Sequence, residues 1–363
     1  MTPPFTGSYS ADDVEFLLTP IDMEDTPVEV KEALIQSGQR HYSEMLTRET
    51  LPSEDYLQLF HDALALNGRR MAEHLLLLAK RIDQLRKDRI ALVSLARAGT
   101  PVGVLLKHVL KRHFDREAAH YSISILRDKG IDQYALRHIL QRHAKESLVF
   151  VDGWTGKGVI ARQLAASLDD FAVSCGIRIP ADLFVLTDLS GAAAVAASFE
   201  DYLIPSCVLN SSVSGLISRS IWRQNAADSA SFHGCVYYKA FEPHDLSHYF
   251  IDTMLRHVED VYRESGIRES QTLLDKETLR AASLDFLQTV AQQYRLSHYN
   301  YIKPGIGEAT RVLLRRGAGR LLLRNADSEA TRHLLWLAES KSIPVEVSKD
   351  LPYLAAALIK EVK

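Results

Sequence analysis

The sequence predicts an α/β protein: a doubly wound parallel sheet with an N-terminal helical extension and a small C-terminal αβαβα domain. Short apolar segments rich in Val, Ile and Leu alternate with amphipathic helices through the middle of the chain. This is the pattern of βαβ units and of a parallel sheet that is covered on both faces. Before and after this region, apolar residues recur at three- and four-residue intervals, which indicates helices.

The changes of pattern divide the chain into four predicted regions. The segment HYNYIKPG, with Pro304 and Gly305, is a predicted hinge at the boundary of the last region. The regions are a helical extension or cap (1–87), an α/β core (88–240), a helical segment (241–300) and the small C-terminal domain (301–363).

The predicted elements follow the same periodicities. The strands predicted in the core are 89–96, 119–126, 147–152, 182–188 and 203–209. The C-terminal domain is predicted to contain helix 305–317, strand 319–325, helix 328–342, strand 343–348 and a closing helix, 353–363.

Composition and charge exclude several classes of protein. The 363 residues are 46% hydrophobic with a formal net charge of −3, so the chain can bury a large core and has no global attraction for nucleic acid or membrane. No apolar run is long enough for a membrane span and the N-terminus does not resemble a secretory signal, so we expect a cytoplasmic protein. Three scattered cysteines predict reduced, buried thiols.

The segment DGWTGKG, residues 152–158, follows a predicted buried strand and opens a helix. Its three glycines allow the backbone N–H groups to point inward, and the helix N-terminus adds a positive dipole end, so the turn suits a phosphate monoester. Thr155 offers a hydroxyl group and Lys157 a positive charge, while Asp152 suits ribose hydroxyls or a hydrated magnesium ion. The spacing differs from the GxxxxGK[ST] pattern of a P-loop, which we reject.

Two further segments place charges at the ends of neighbouring strands. The segment ARAG, residues 96–99, again runs from a strand into a helix, and RDKG, residues 127–130, ends the next strand. Because ligands of parallel sheets collect beyond the carboxyl ends of the strands, we expect the three segments to face a common hollow. Together they could hold a ligand with phosphate groups at two separated points.

These motifs resemble a known family. The order of SLARAGTP, ISILRDKGID and LVFVDGWTGKG is similar to that of the loops of type I phosphoribosyltransferases. More closely, RDKGID, VDGWTGKG, DLSG, EDYLIPSCVLNSSVSGLISRS and IKPGIGEATRVLLRRG resemble the phosphoribosyltransferase family of tellurite-resistance (Ter) stress operons. That family carries a C-terminal Pelota-type RNA-binding domain and is also named cysteine protease StiP. The resemblance extends from about residue 7 to the C-terminus.

The resemblance implies a type I phosphoribosyltransferase-like fold and a glycosyltransferase of the stress response. It would use 5-phosphoribosyl 1-diphosphate (PRPP), or a related ribose phosphate, with Mg²⁺ to couple a base to ribose. Gly153 stands where these enzymes have a second acid, and the loop is shorter than theirs.

Residue roles follow from the resemblance by position. The implied catalytic residues are Asp152, which would also hold Mg²⁺ through water, Arg97 and Lys129. The implied acceptor contacts are Asp188 and Ser190. The implied phosphate contacts are Asp152, Gly153, Trp154, Thr155, Gly156, Lys157, Gly158, Ala96, Arg97, Ala98, Gly99 and Arg127.

The C-terminal domain is predicted to contact RNA through a row of cations. Arg311 and Arg315 lie one turn apart on a predicted helix, where they could meet successive phosphates. The alternative is a solubilising surface balanced by nearby acids. The predicted RNA-binding residues are Lys303, Arg311, Arg315, Arg316 and Arg324.

Two alternative functions remain open at this point. One is an RNA-binding protein with a non-catalytic nucleotide-binding core. The other is a cysteine protease, which needs a thiolate beside a histidine. Cys235 follows His233 in the sequence and Cys207 follows a strand-like segment, but for both cysteines we favour a buried core thiol.

Overall fold

The computed structural model describes residues 5–222, 231–268 and 275–360. Its strands are β1 (Glu15–Leu17), β2 (Thr19–Pro20), β3 (Ile90–Ala96), β4 (Ala118–Leu126), β5 (Gly130–Ile131), β6 (Leu148–Thr155), β7 (Leu183–Asp188), β8 (Val195–Ser198), β9 (Gly234–Cys235), β10 (Ile302–Pro304), β11 (Ala318–Leu323), β12 (Val345–Val347) and β13 (Ala355–Ile359). Its α-helices are α1 (Val28–Gln36), α2 (Glu54–Leu85), α3 (Gly99–Phe114), α4 (Gln133–Leu140), α5 (Val159–Cys175), α6 (Ser247–Ser265), α7 (Lys276–Gln293), α8 (Ile306–Arg315) and α9 (Arg332–Ser340).

The core of the molecule is a parallel sheet in the order β1-β4-β3-β6-β7-β8, with β5 paired antiparallel to β4. The strands alternate their apolar side chains between the two faces: Ile90 and Leu92 pack with α2, α3 and α6, whereas Ala91 and Val93 pack with α4 and α5. The prediction of a parallel-sheet α/β fold is therefore confirmed.

Helix α3 approaches the sheet closely where β3 ends. A Cβ atom at Gly99 would lie 2.3 Å from the carbonyl oxygen of Val151 on β6, so the position accepts only glycine without displacement of the backbone. The peptide bond between Ala96 and Arg97, just before this point, is cis.

The C-terminal domain is a four-stranded sheet in the order β10-β13-β11-β12. One face packs against α7 through Phe286, Leu322 and Leu358, and the other face packs against α8 and α9. The predicted αβαβα order is wrong at its end, because Ala355–Ile359 form a central strand instead of a closing helix. All five residues are buried, so packing on both faces outweighs the helix propensity of the three alanines; residues 361–363 lie outside the described residues.

Two predictions near the core are also wrong. The N-terminal extension is not purely helical, because Glu15–Leu17 add an edge strand parallel to β4 and Thr19–Pro20 pair with Gly234–Cys235. These strands are too short to show a periodicity. The segment 203–209 contains a 3-10 turn at Pro205–Cys207 instead of a strand, since Pro205 has no N–H to give to a ladder.

The molecule has two lobes, the parallel-sheet core with its N-terminal extension and the C-terminal domain, and they meet at the carboxyl end of the parallel sheet. The Asp201 carboxylate accepts hydrogen bonds from the backbone N–H groups of Ile306 and Leu354, both at 2.8 Å. Tyr56 on α2 donates its hydroxyl proton to the carbonyl of Leu314, at 3.2 Å. The C-terminal domain is thus held directly over the strand ends of the core. In the part of the chain that is described, no helix is both long and apolar enough to cross a membrane.

We expect the packing of α2 to contribute strongly to stability. Leu75 is fully buried in the cluster formed by α2, α3 and α6, whereas Leu66 on the same helix is 45% exposed. The substitution Leu75→Ala should lower the free energy of unfolding by about 2–5 kcal/mol, because it leaves a cavity. Leu66→Ala is the control. Urea denaturation of the two variants measures the free energy of unfolding, and a decrease for Leu66→Ala as large as that for Leu75→Ala would contradict the prediction.

Candidate functional site

A cavity of about 990 Å³ lies between the two lobes, at the ends of β3, β4 and β6. Helix α8 lines it from the C-terminal domain, and residues 46–53 line it from the N-terminal extension. Many of the predicted site residues meet here. They are Arg97, Ala98, Arg127, Asp152, Trp154, Thr155, Gly156, Lys157, Gly158, Lys303, Arg311, Arg315 and Arg316.

The turn 152–158 meets the C-terminal domain where the sequence predicts that it meets ribose phosphate. Lys157 donates to the carbonyls of Tyr299 and Ile302 at 2.7 and 2.9 Å. Within the turn, the Gly158 N–H donates to Thr155 Oγ1 at 2.9 Å. The turn's ammonium group and one of its N–H groups are therefore engaged by the protein itself. Gly158 has φ +68°, and a Cβ atom there would also lie too near Ala192.

Arg97 is held by the protein on three sides. It donates to Glu49 Oε1 at 2.6 Å, to Asn210 Oδ1 at 2.9 Å and to the carbonyl of Ile217 at 3.0 Å. Burial opposes the ionisation of Glu49, but Arg97 and the N–H of Ser211 outweigh it and lower the Glu49 pKa. Arg97 thus ties the floor of the cavity to the N-terminal extension.

Asp152 is one of the site residues whose ionisation burial alters strongly. Burial raises its pKa to about 7, against the N–H of Gly153 and the charge of Arg311, which lower it. This carboxyl group exchanges its proton near neutral pH and can act as an acid or a base. As a Mg²⁺ site it fits poorly, because a single, only partly ionised carboxyl group stands among several cations. Within the described ranges, no cluster of three or more His, Cys, Asp and Glu residues could hold a metal ion.

The remaining predicted residues lie outside the cavity lining. Asp188 is fully buried and accepts from the backbone N–H groups of Ser190 and Ala193 at 3.0 and 2.9 Å, so it holds the turn after β7 together. Lys129 lies over the Trp222 ring at 5.4 Å. The others that do not line the cavity are Ser190, Ala96, Gly99, Gly153 and Arg324.

The cationic row of α8 faces the cavity instead of an open surface. Arg315 donates to the carbonyl of Val208 at 2.7 Å, and Arg311 lies over the Trp154 ring at 5.7 Å. Lys303 is 3.9 Å from Glu308. Arg324 caps the carbonyls of Leu351 and Pro352 within its own domain. That these residues bind RNA stays a prediction.

The three cysteines have different surroundings. Cys207 lies behind the cavity wall formed by Val208, and a Cβ atom at Gly307 of α8 would be 3.7 Å from its Sγ. Burial raises its pKa to about 12, while Arg311 and Arg315 favour the thiolate. Burial alone raises the pKa of Cys235 to about 12. Among the described residues, no histidine forms a hydrogen bond with a cysteine.

Sequence reasoning missed several residues of this site. Lys31, Arg48 and Arg219 add cations to the cavity from outside the predicted loops. Two acids were missed as well: Glu49 accepts a hydrogen bond from Arg97 of the core, and Asp201 accepts one from the N–H of Ile306 at the start of α8. No sequence motif reveals these residues, because they lie on four separate parts of the chain and come together only in the folded structure.

Comparisons with known proteins cover nearly the whole chain. The family described as "Tellurite-like stress resistance cysteine protease StiP" matches residues 7–255, and the PELOTA RNA binding domain matches residues 281–361. A curated relative from Acinetobacter baylyi, named cysteine protease StiP, is 40% identical over 367 aligned residues. The alignment covers 98% of this chain and 94% of the relative.

Solved structures give only weak likenesses. The hypoxanthine phosphoribosyltransferase of Trypanosoma cruzi is 16% identical with a TM-score of 0.28, covering 38% of this chain and 82% of that one. A hypoxanthine-guanine phosphoribosyltransferase from Bacillus anthracis is 15% identical with a TM-score of 0.25, covering 43% and 85%. Scores this low carry no argument about activity.

These findings correct the predicted function. The prediction of a phosphoribosyltransferase, a glycosyltransferase, is wrong: the full-length relative is named as a cysteine protease, and PRPP gains no support as a partner. The predictions of a stress-resistance family and of a Pelota RNA-binding domain are confirmed. The chain belongs to the family of tellurite-like stress resistance cysteine proteases StiP.

Proposed function

We propose that this protein is a cysteine-dependent peptide hydrolase and that Cys207 is its nucleophile. The relation to a curated cysteine protease over almost the full length of both chains is the observation that carries the proposal. The cavity supports it, because a substrate segment that enters the cavity would reach Val208, and Cys207 lies directly behind this residue, against Gly307 of α8.

Cys207 suits this role better than the other two cysteines. It alone lies beside the cavity and close to guanidinium groups, which favour the thiolate form that attacks carbonyl carbon. Cys175 ends α5 and donates to the Phe171 carbonyl within that helix. Cys235 lies on β9 against β2, and its pKa is raised by burial with no cation to oppose it.

The proposed reaction follows the covalent route of thiol hydrolases. The Cys207 sulfur attacks the peptide carbonyl carbon, and the bond to nitrogen then breaks, leaving a thioester and a free amine that carries away a proton. Water then attacks the thioester, releasing the carboxylic acid and restoring the thiol. Asp152 is the proposed proton acceptor, since its pKa of about 7 matches this work and it shares the neighbourhood of Arg311 and Glu308 with Cys207.

The closed arrangement of the lobes is a latent form in this proposal. With a pKa near 12 the Cys207 thiol stays protonated, and α8 covers it at Gly307. A peptide carbonyl can reach the sulfur only after α8 shifts. Asp201 holds α8 in place, so Asp201→Ala, which leaves two backbone N–H groups without their acceptor, should loosen the cover.

The first test removes the thiol. We expect the full-length protein under reducing conditions to hydrolyse fluorescein-labelled casein, and the Asp201→Ala variant to hydrolyse it faster. Cys207→Ser should abolish hydrolysis in both backgrounds, because a hydroxyl group here has no base strong enough to activate it. Cys235→Ser is the matched control and should keep its activity. Hydrolysis by a protein that carries Cys207→Ser would contradict the proposal. So would the absence of hydrolysis in both the wild type and the Asp201→Ala variant.

The second test is the pH dependence. A general base works only when it is deprotonated, so hydrolysis should rise with pH through the Asp152 pKa of about 7. Asp152→Asn keeps the acceptor for the Gly153 N–H but cannot take a proton. We expect this variant to lose most of its activity and the rise near pH 7, measured as kcat/KM between pH 5 and 9. A wild-type rise that persists in Asp152→Asn would exclude Asp152 as the base.

A second candidate function is RNA binding by the C-terminal domain. The match of residues 281–361 to the PELOTA RNA binding domain favours it. Three arginines lie on α8 or directly after it. Of these, Arg311 and Arg315 are half-buried and line the cavity, and Arg316 is exposed. We therefore place any RNA contact on the outer surface of the domain.

A further inference from the structure

The cavity between the lobes carries a large excess of positive charge. Ten lysine and arginine side chains line it, against four carboxyl groups. Glu49 is paired with Arg97, and Glu308 faces Lys303, so two of the acids are already engaged. Burial shifts the pKa values of Asp152 and Lys157 to about 7, so both are only partly charged near neutral pH and the excess of cations over carboxylates remains.

Five of these cations make no side-chain hydrogen bond or ion pair among the described residues. Arg311 and Arg127 contact only the rings of Trp154 and Tyr42, each at 5.7 Å. For the other three side chains the described part of the chain supplies no hydrogen bond or ion pair. They are Lys31, Arg48 and Arg316.

Lys31 and Arg315 show that neighbouring cations of the cavity repel one another. Burial, together with the charges of Arg219 and Arg316, lowers the pKa of Lys31 to about 8. Burial and the charges of Arg311 and Arg97 lower the pKa of Arg315 to about 9. Holding these charges together costs free energy that a multiply charged anion would offset.

The unpaired cations come from separate parts of the fold. Lys31 and Arg48 belong to the N-terminal extension, Arg127 follows β4 of the core, and Arg311 and Arg316 belong to the C-terminal domain. One anion at their centre would therefore contact all three parts. Guanidinium groups form bidentate hydrogen bonds with phosphate oxygens, and linked phosphate groups place several negative charges close together, which suits a cluster of unpaired cations.

We propose that this cavity binds a compact oligophosphate, a small molecule with at least two linked phosphate groups, which bridges the N-terminal extension, the core and the C-terminal domain. The cavity volume of about 990 Å³ is of the size that small-molecule sites have. The proposal does not depend on the thiol chemistry of Cys207, because it concerns binding alone.

Titration calorimetry of the full-length protein with inorganic tripolyphosphate tests this. We expect one site per chain, with binding much weaker for inorganic orthophosphate. The double substitution Arg311→Gln with Arg316→Gln should weaken tripolyphosphate binding by about tenfold or more, because two charged contacts are lost. Lys31→Gln with Arg48→Gln, in the N-terminal extension, should act in the same direction, so the test does not depend on one pair folding well.

The matched control removes the same charge elsewhere. Arg178 and Arg263 are exposed, pair with Asp169 and Asp260, and do not line the cavity. Arg178→Gln with Arg263→Gln should change the dissociation constant by less than about twofold. Absence of a single site, or equal loss in the control, would overturn the proposal. So would a short single-stranded RNA that binds more tightly than tripolyphosphate and depends on the same arginines.

Discussion

The structure depends on the docking of the C-terminal domain onto the carboxyl end of the parallel sheet. The Asp201 carboxylate lies at the centre of this contact. Burial raises its pKa to about 6, and backbone N–H groups of Ile306, Leu354 and Ala355 oppose that rise. A shielded carboxylate is costly unless it is hydrogen-bonded, so the two lobes satisfy this group only when they are together. Gly305, with φ +89°, lets the chain pass beside Asp201 into α8.

The docked domain determines both the cavity and the state of the thiol. It brings Lys303, Arg311 and Arg315 over strand ends that already carry Arg97 and Arg127, and so creates the excess of positive charge. Helix α8 of this domain also covers the Cys207 sulfur, at Gly307. Binding of an anion and access to the thiol therefore involve the same surface of α8, although each was inferred from different contacts.

Sequence patterns predict the elements that are long and locally consistent. Strands such as Ile90–Ala96 and Leu183–Asp188 are buried on both faces, and their Val and Leu runs show it. The turn 152–158 and the residues near Arg97 do face one cavity, as their position after neighbouring parallel strands predicts. Local propensity fails where tertiary packing decides, as in Ala355–Ile359, whose alanines read as helix but fill the centre of a sheet.

Function was harder to predict than fold. A glycine-rich turn after a strand fits a phosphate loop, yet Lys157 of that turn is bound by carbonyls of the second lobe. Asp201 and Glu49 gave no signal, because their partners lie far away along the chain. Cys207 resembled a core thiol and is indeed buried; the role proposed for it rests on its place beside the cavity and α8.

The central claim is that docking through Asp201 hides the Cys207 thiol. Iodoacetamide labelling of the native protein, followed by peptide mass spectrometry, measures the exposure of each cysteine directly. The account predicts that Cys207 reacts slowly in the wild type and at least about tenfold faster in Asp201→Ala, with Cys235 protected in both. Labelling of Cys207 in the wild type at the rate of a free thiol would contradict it.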